Sequence, residues 1–194
     1  MKKGCFIVCE GLDCSGKTTS IKHALEYFKD IPSVYSKGLK TDTIAGRFSR
    51  LFPSTLSLLT ELLYLDKTFV RPSLNQGKSI IQDRWYYSVL SHNSENPVDN
   101  FLEKAIASNL SKPDLLLYFS VSLDERIRRL EMKKKDHEAL LENPKLIDQR
   151  ENRGINYYNN FQGKKAILDT TNITEEESGY KLYKIINSFL KNGN

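Results

Sequence analysis

Cys5-Phe6-Ile7-Val8-Cys9-Glu10-Gly11-Leu12-Asp13-Cys14-Ser15-Gly16-Lys17-Thr18-Thr19 joins an apolar run directly to a complete G-x-x-x-x-G-K-T loop. The spacing has a physical basis. Two glycines let the backbone curl round an anion so that successive N–H groups point inward, and the following helix turns its positive end to the same charge. In such a loop Lys17 reaches the β- and γ-phosphates and the Thr18 hydroxyl holds Mg²⁺. The flanks fit as well, because β-compatible residues precede the loop and Ile21-Lys22-His23-Ala24-Leu25-Glu26-Tyr27-Phe28 follows with helical spacing. Gly11, Leu12, Asp13, Cys14, Ser15, Gly16, Lys17, Thr18 and Thr19 are therefore the expected triphosphate cradle. A signalling GTPase would add D-x-x-G beyond the loop and N-K-x-D for guanine; the chain's only D-x-x-G, Asp13 to Gly16, lies inside the loop.

The 194 residues suit a single domain spanning 1–194. With 29 basic and 24 acidic side chains, the net charge of +5 is spread over helices and forms no basic tail. That pattern fits a site for small polyanions and argues against nucleic acid as a partner. Cys5, Cys9 and Cys14 crowd into the first strand and loop, where Cys5 and Cys9 are too far apart along a strand for an easy disulfide. With no secretory signal and no long apolar span, the expectation is reduced thiols in a cytoplasmic protein that engages no membrane. Cys14 has no base motif beside it that would make it a nucleophile.

Strand and helix signals alternate along the chain. Cys5–Cys9, Ser33–Ser36, Ser79–Gln82, Leu115–Phe119 and Ala166–Leu168 are five strand candidates, with helical patterns between them. The first helix is expected over Thr18–Phe28. This alternation predicts an α/β fold, a five-stranded parallel sheet covered by helices on both faces, with ligands at the carboxyl ends of the strands. Asp13, Lys37, Asp83, Arg84, Ser120 and Asp169 then fall near one rim. The charged run from Glu131 to about residue 143 precedes a helix expected to begin near Pro144, and reads either as a solvated helix end or as a short basic lid over the nucleotide.

Asp83-Arg84-Trp85-Tyr86-Tyr87-Ser88, taken with Glu10-Gly11-Leu12-Asp13, Pro113-Asp114-Leu115, the basic lid and Asp169, resembles the thymidylate kinase family of P-loop nucleoside monophosphate kinases over nearly the whole length. The resemblance implies the P-loop kinase fold, ATP and a nucleoside monophosphate as substrates, Mg²⁺ as cofactor, and a homodimer. Residue by residue, it implies that Asp13 touches the acceptor, that Arg84 clamps phosphate between acceptor and donor, and that Asp83 acts through the magnesium hydration shell. Such roles suit phosphoryl transfer between polyanions, which depends on charge neutralisation and in-line placement. Some members carry Arg directly after the Asp of the loop; Cys14 stands there in this chain. The missing cation is then expected from the lid, where Lys133, Lys134 and Lys135 are candidates, and Arg129 is the positional match for the family's arginine beside adenine.

The acceptor half departs from the family pattern. Ser36-Lys37-Gly38-Leu39 stands where R-E-P is common, keeping a cation without the guanidinium fork. Leu62-Leu63-Tyr64-Leu65-Asp66-Lys67-Thr68-Phe69-Val70-Arg71-Pro72 compresses the family's next long helix by about seven residues, close to two helical turns. Tyr64 would supply the base-stacking ring unless it is a core aromatic, and Lys67 or Arg71 would replace a phosphate-binding arginine. Ser88 is placed against the acceptor, and Asn93, following His92, would hydrogen-bond a pyrimidine edge. Leu56, Leu59, Leu62 and Leu63 offer an apolar face for a dimer. The expected activity is transfer from ATP to dTMP, giving dTDP. The alternatives are the same reaction on dUMP or dCMP, or an ATP-binding regulatory protein without transfer.

Overall fold

The computed structural model describes residues 3–28, 33–39, 42–52, 54–91, 97–132 and 144–192. Its elements in chain order are β1 (Phe6–Gly11), α1 (Lys17–Leu25), β2 (Ser33–Lys37), α2 (Ile44–Leu51), α3 (Thr55–Leu65), a π-helical turn (Asp66–Val70), α4 (Arg71–Asn75) and β3 (Ser79–Asp83). There follow α5 (Tyr86–Ser91), α6 (Pro97–Asn109), β4 (Leu115–Ser120), α7 (Leu123–Met132), α8 (Pro144–Asn160), β5 (Lys164–Asp169) and α9 (Glu175–Asn192). All five strands are parallel, in the order β2-β3-β1-β4-β5. The five strand candidates are all strands. β1 runs two residues further than Cys9, β5 gains Lys164, Lys165 and Asp169, and α1 stops at Leu25, short of Phe28.

Helices on both sides explain the strand composition. Every residue of β1 and β3 is buried, as expected of a parallel sheet covered on each face. Alternate side chains feed two separate cores. Phe6, Val8, Ile80, Leu116 and Tyr118 pack with Leu59 and Leu62 of α3 and with Trp85, whose ring meets Phe6 edge-on at 5.2 Å. Ile7, Cys9, Ile81, Leu117 and Phe119 pack with Ile21 and Ala24 of α1 and with Leu182 and Ile186 of α9. The outer strands are the polar ones, and β5 leaves Lys164 and Lys165 exposed on its edge.

The expected dimer face is corrected here. Leu59 and Leu62 have no exposed surface, and Leu63 is packed against the same core. Burying a leucine stabilises the fold by roughly 1.5–3 kcal/mol, which α3 uses within the chain. The exposed apolar residues lie next door: Ile44, Phe48, Leu51 and Phe52 on and just after α2, with Leu56 at the start of α3.

Register fixes the rim. Cys9 and Lys37 pair with Asp83, Gly11 with Phe119, and Ser120 with Asp169, so the carboxyl ends of all five strands open on one side. No helix among the described residues is long and apolar enough to cross a membrane.

Candidate active site

The chain leaves β1 through Gly11 at φ +138°, a conformation L side chains rarely adopt, and a Cβ there would lie 2.5 Å from the Phe119 carbonyl oxygen. Gly16 at φ +79° opens α1 in the left-handed region. Cys14 takes φ +62° between them, without glycine's freedom. The buried Lys17 Nζ donates to the carbonyls of Gly11 at 2.8 Å and Leu12 at 2.6 Å, and to Ser15 Oγ at 3.1 Å. Burial draws its pKa down to about 7, aided by the positive charge of Arg84 and opposed by Asp83, Asp13 and Glu10.

β3 ends in two functional residues. Asp83 Oδ2 accepts from Thr18 Oγ1 at 2.5 Å and from the Tyr35 hydroxyl at 3.4 Å, while Oδ1 is buried without a hydrogen-bond partner. Arg84 stands at φ +71° and forms an ion pair with the Asp13 carboxylate. Its amide donates to Cys9 O at 3.0 Å, and its carbonyl accepts from Gln82 Nε2 at 3.2 Å.

Behind this turn lies Glu10, 3% exposed. Its Oε1 accepts the Trp85 amide at 2.8 Å and the Ser88 amide at 3.3 Å, and its Oε2 accepts the Ser88 hydroxyl. Burial pushes this carboxyl up to about 7, against the pull of its Ser88 and Trp85 hydrogen bonds and of Arg84. The expectation for Ser88 is thereby corrected: its hydroxyl points inward to Glu10, and the residue is 5% exposed.

On the other flank Arg129 of α7 donates to Cys14 O at 3.2 Å, to Thr170 Oγ1 at 3.1 Å and to Thr170 O at 2.6 Å, with Glu125 holding its Nε at 2.7 Å. It borders a cavity of about 440 Å³ that Cys14, Gly16, Thr19, Thr170 and Ile173 also line. Arg126, only 2% exposed, donates from Nε to the Asp13 carbonyl at 3.0 Å and pairs with Glu151 of α8 at 3.9 Å. Arg150 of α8 has a buried Nε without a hydrogen-bond partner and feels the Asp13 carboxylate. Arg126, Arg150 and Thr170 carry no sequence motif, and the Glu10-Gly11-Leu12-Asp13 motif does not announce the contacts of Glu10; the two arginines are hidden in ordinary charged helices. Asp169 is exposed at the strand end, where its carboxylate accepts from the Thr171 amide and hydroxyl at 2.9 and 2.6 Å, contacts that hold its pKa low.

The acceptor candidates are scattered. Lys37 is exposed beside Asp83 in register, and Tyr64 is 42% exposed on α3. Lys67 is exposed on the π-turn, whose Asp66 is fully buried and accepts from Arg71 Nε at 2.7 Å and the Ser111 amide at 3.3 Å. Arg71 also donates to the Asn109 carbonyl, so the Arg71 alternative is committed at the end of α6. None of the hydrogen bonds described above for the loop and the Arg84 turn involves Lys37, Tyr64 or Lys67. Asn93, His92 and the lid lysines Lys133, Lys134 and Lys135 lie outside the described residues.

A phosphate loop opening α1, with an Asp-Arg turn folded over it from the neighbouring strand of a five-stranded parallel sheet, defines a P-loop nucleotide kinase. Residues 9–178 match the family model described as thymidylate kinase, and the chain belongs to the thymidylate kinase family. Among its relatives, a probable thymidylate kinase of Pyrococcus horikoshii is 31% identical over 148 residues, covering 68% of this chain and 72% of the relative. A thymidylate kinase of Dictyostelium discoideum is 27% identical over 170 residues, 76% of each chain. The solved thymidylate kinase of Candida albicans shares the fold at a TM-score of 0.78, with 21% identity over 96% of this chain and 92% of its own.

Proposed function

We propose that the protein transfers the γ-phosphoryl group of ATP to the 5′-phosphate of dTMP, releasing ADP and dTDP. The observation that carries this reading is the Arg84 turn: a guanidinium held against Asp13, directly beside the buried Lys17 of the phosphate loop. Two cations, one at the start of α1 and one in the turn after β3, thus flank one spot, as transfer between two polyanions requires.

ATP lies with its phosphates on Gly11–Thr19 and its base in the cavity beside Arg129. Lys17 releases the carbonyls it now holds and takes the β- and γ-phosphates. Arg84 presents its two-pronged donor set to the phosphate oxygens facing the acceptor. Asp13 orients Arg84 and meets the acceptor, while Arg126 fixes the Asp13 backbone from below. Arg150 adds positive charge near Asp13, the residue before the Cys14 position where some family members have arginine, and shares that role with Lys133 of the lid.

The residues fit Mg²⁺. The Thr18 hydroxyl and the Asp83 carboxylate adjoin at 2.5 Å, and the unpartnered Asp83 Oδ1 is a buried acceptor lacking a donor. A Mg²⁺ site built mainly from substrate phosphates and water needs no larger cluster, and among the described residues no group of three potential ligands exists. Thr18 would hold the ion directly and Asp83 through its hydration shell, and the ion would supply charge neutralisation to the phosphates during transfer.

On the acceptor side Tyr64 is the candidate stacking ring, with Lys37, Lys67 and Asn93 as candidate polar contacts. A second copy of the chain covers the exposed apolar face of α2, giving the homodimer.

The test is ADP release from ATP·Mg²⁺ with dTMP, dUMP, dCMP, dGMP and thymidine in parallel, with Arg84→Ala alongside. Turnover with dTMP that falls at least about a hundredfold in Arg84→Ala supports the proposal. Preference for another monophosphate reassigns the acceptor, and ATP binding without turnover on any acceptor replaces the enzyme with a binding protein.

A further inference from the structure

Arg84 occupies a left-handed backbone conformation that is strained for a non-glycine residue, and such a residue persists only where its surroundings over-determine it. The restraints are specific. Cys9 O holds the Arg84 amide on the strand side, Gln82 Nε2 holds the Arg84 carbonyl, and Glu10 Oε1 takes the next amide, that of Trp85. Glu10 then takes both the amide and the hydroxyl of Ser88, so it caps the first turn of α5 from another strand.

We propose that Glu10 is a positioning residue for phosphoryl transfer: its buried carboxylate pins the Trp85 and Ser88 amides and so keeps Arg84 in the left-handed turn that aims its guanidinium at the phosphates. The inference rests on the kinase reading above. A carboxylate at 3% exposure costs several kcal/mol of desolvation, which an apolar side chain at the end of β1 would not. Three donors offset part of that cost, all on the segment that begins at Trp85. The same strand continues into Gly11 and the phosphate loop. One rigid strand end therefore sets both the donor cradle and the acceptor-side clamp, fixing their separation to the tolerance that in-line transfer demands. The charged and phenolic groups facing the carboxylate are Arg84 from the turn, Lys17 from the loop, Tyr86 and Tyr87 from α5, and Tyr118 from β4.

Trp85 supplies a reporter. It is the chain's only tryptophan, it is fully buried, and its indole N–H donates to Ser111 O at 3.0 Å, so its emission reads the turn without reference to catalysis. Glu10→Ala removes all three acceptor contacts. Glu10→Gln keeps an oxygen for the two amides and offers an N–H to Ser88 Oγ. In Glu10→Ala the expected outcome is a red-shifted Trp85 emission and a kcat with dTMP lowered about a hundredfold, with the ATP Kd changed by less than about twofold. Glu10→Gln restores the wild-type emission and kcat to within about threefold. The proposal is overturned if Glu10→Ala keeps both emission and kcat, if Glu10→Gln is as impaired as Glu10→Ala, or if ATP affinity falls in parallel with kcat, since Glu10 would then serve the loop alone. Should Glu10→Ala lose its circular dichroism, the Glu10→Gln arm decides. If the wild type is inert with every acceptor, the kinase reading fails, and the emission comparison still tests what Glu10 holds.

Discussion

Replacing Gly38 with alanine should damage catalysis at a distance of two strands. Gly38 follows β2, and its amide donates to the Asp83 carbonyl at 2.9 Å. A Cβ at this position would fall 2.7 Å from Gln82 Nε2 and closer still to the Arg84 carbonyl oxygen, well inside the 3.4 Å at which ordinary contact begins. The Gln82 amide can swing away; the Arg84 carbonyl is backbone and must retreat by about 1.5 Å, to ordinary contact, with its residue. Overpacking of this kind costs about 1–3 kcal/mol. In a chain of this length that corresponds to a Tm lower by roughly 2–10 °C. A displacement of about 1 Å at the guanidinium should lower kcat/KM about a hundredfold. Differential scanning fluorimetry and steady-state ADP release measure the two effects on one preparation. A Gly38→Ala enzyme with wild-type Tm and kcat/KM would refute the reasoning, because the Arg84 turn would then not be held against β2.

Glu10 makes stability depend on pH. Its pKa rises from 4.5 to about 7 on folding, so its favourable contribution is complete below the unfolded value and is lost as pH climbs through about 7. The full span is on the order of 3 kcal/mol. Urea unfolding at pH 5 and pH 8 should show wild type losing more stability over that interval than Glu10→Gln; equal slopes would contradict the assignment. Phe48→Glu with Leu51→Glu places charge on the exposed face of α2 and should convert the proposed dimer to monomer in sedimentation equilibrium without loss of helicity. A wild-type chain that sediments as a monomer would remove the basis for that face.

The sheet was legible because its central strands are short apolar runs between helical patterns, and the polar β2 candidate was placed by the alternation of strand and helix signals. The phosphate loop was legible because its geometry depends on glycines at fixed spacing. The contacts that organise the site were not. Glu10 has the same letter whether it faces solvent or the interior, and only the pairing of β1 with β3 brings it under Trp85. Arg126 and Arg129 sit three residues apart in the charged α7, yet one is buried against the loop and the other lines the cavity. Ser88 was placed against the acceptor by the resemblance of Asp83–Ser88 to the family segment; the helix turns that hydroxyl inward. Leu59 and Leu62 read as an outer face because helical spacing shows that a stripe exists without saying what it meets.

The π-helical turn at Asp66–Val70 bears on how this chain can be compared with others. The Arg71 amide closes back on Asp66, five residues earlier, in place of the usual four. An extra residue in a continuous helix would rotate everything beyond it by about 100°. Widening a single turn absorbs the slip locally, so that Leu62 before it, Val70 at its end and Leu74 after it still reach one core. The stretch therefore carries two numbering frames, one on each side of Asp66. Helical phase counted forward from α3 and backward from α4 differs by one residue across the turn, so Tyr64 belongs to the first frame and Arg71 to the second.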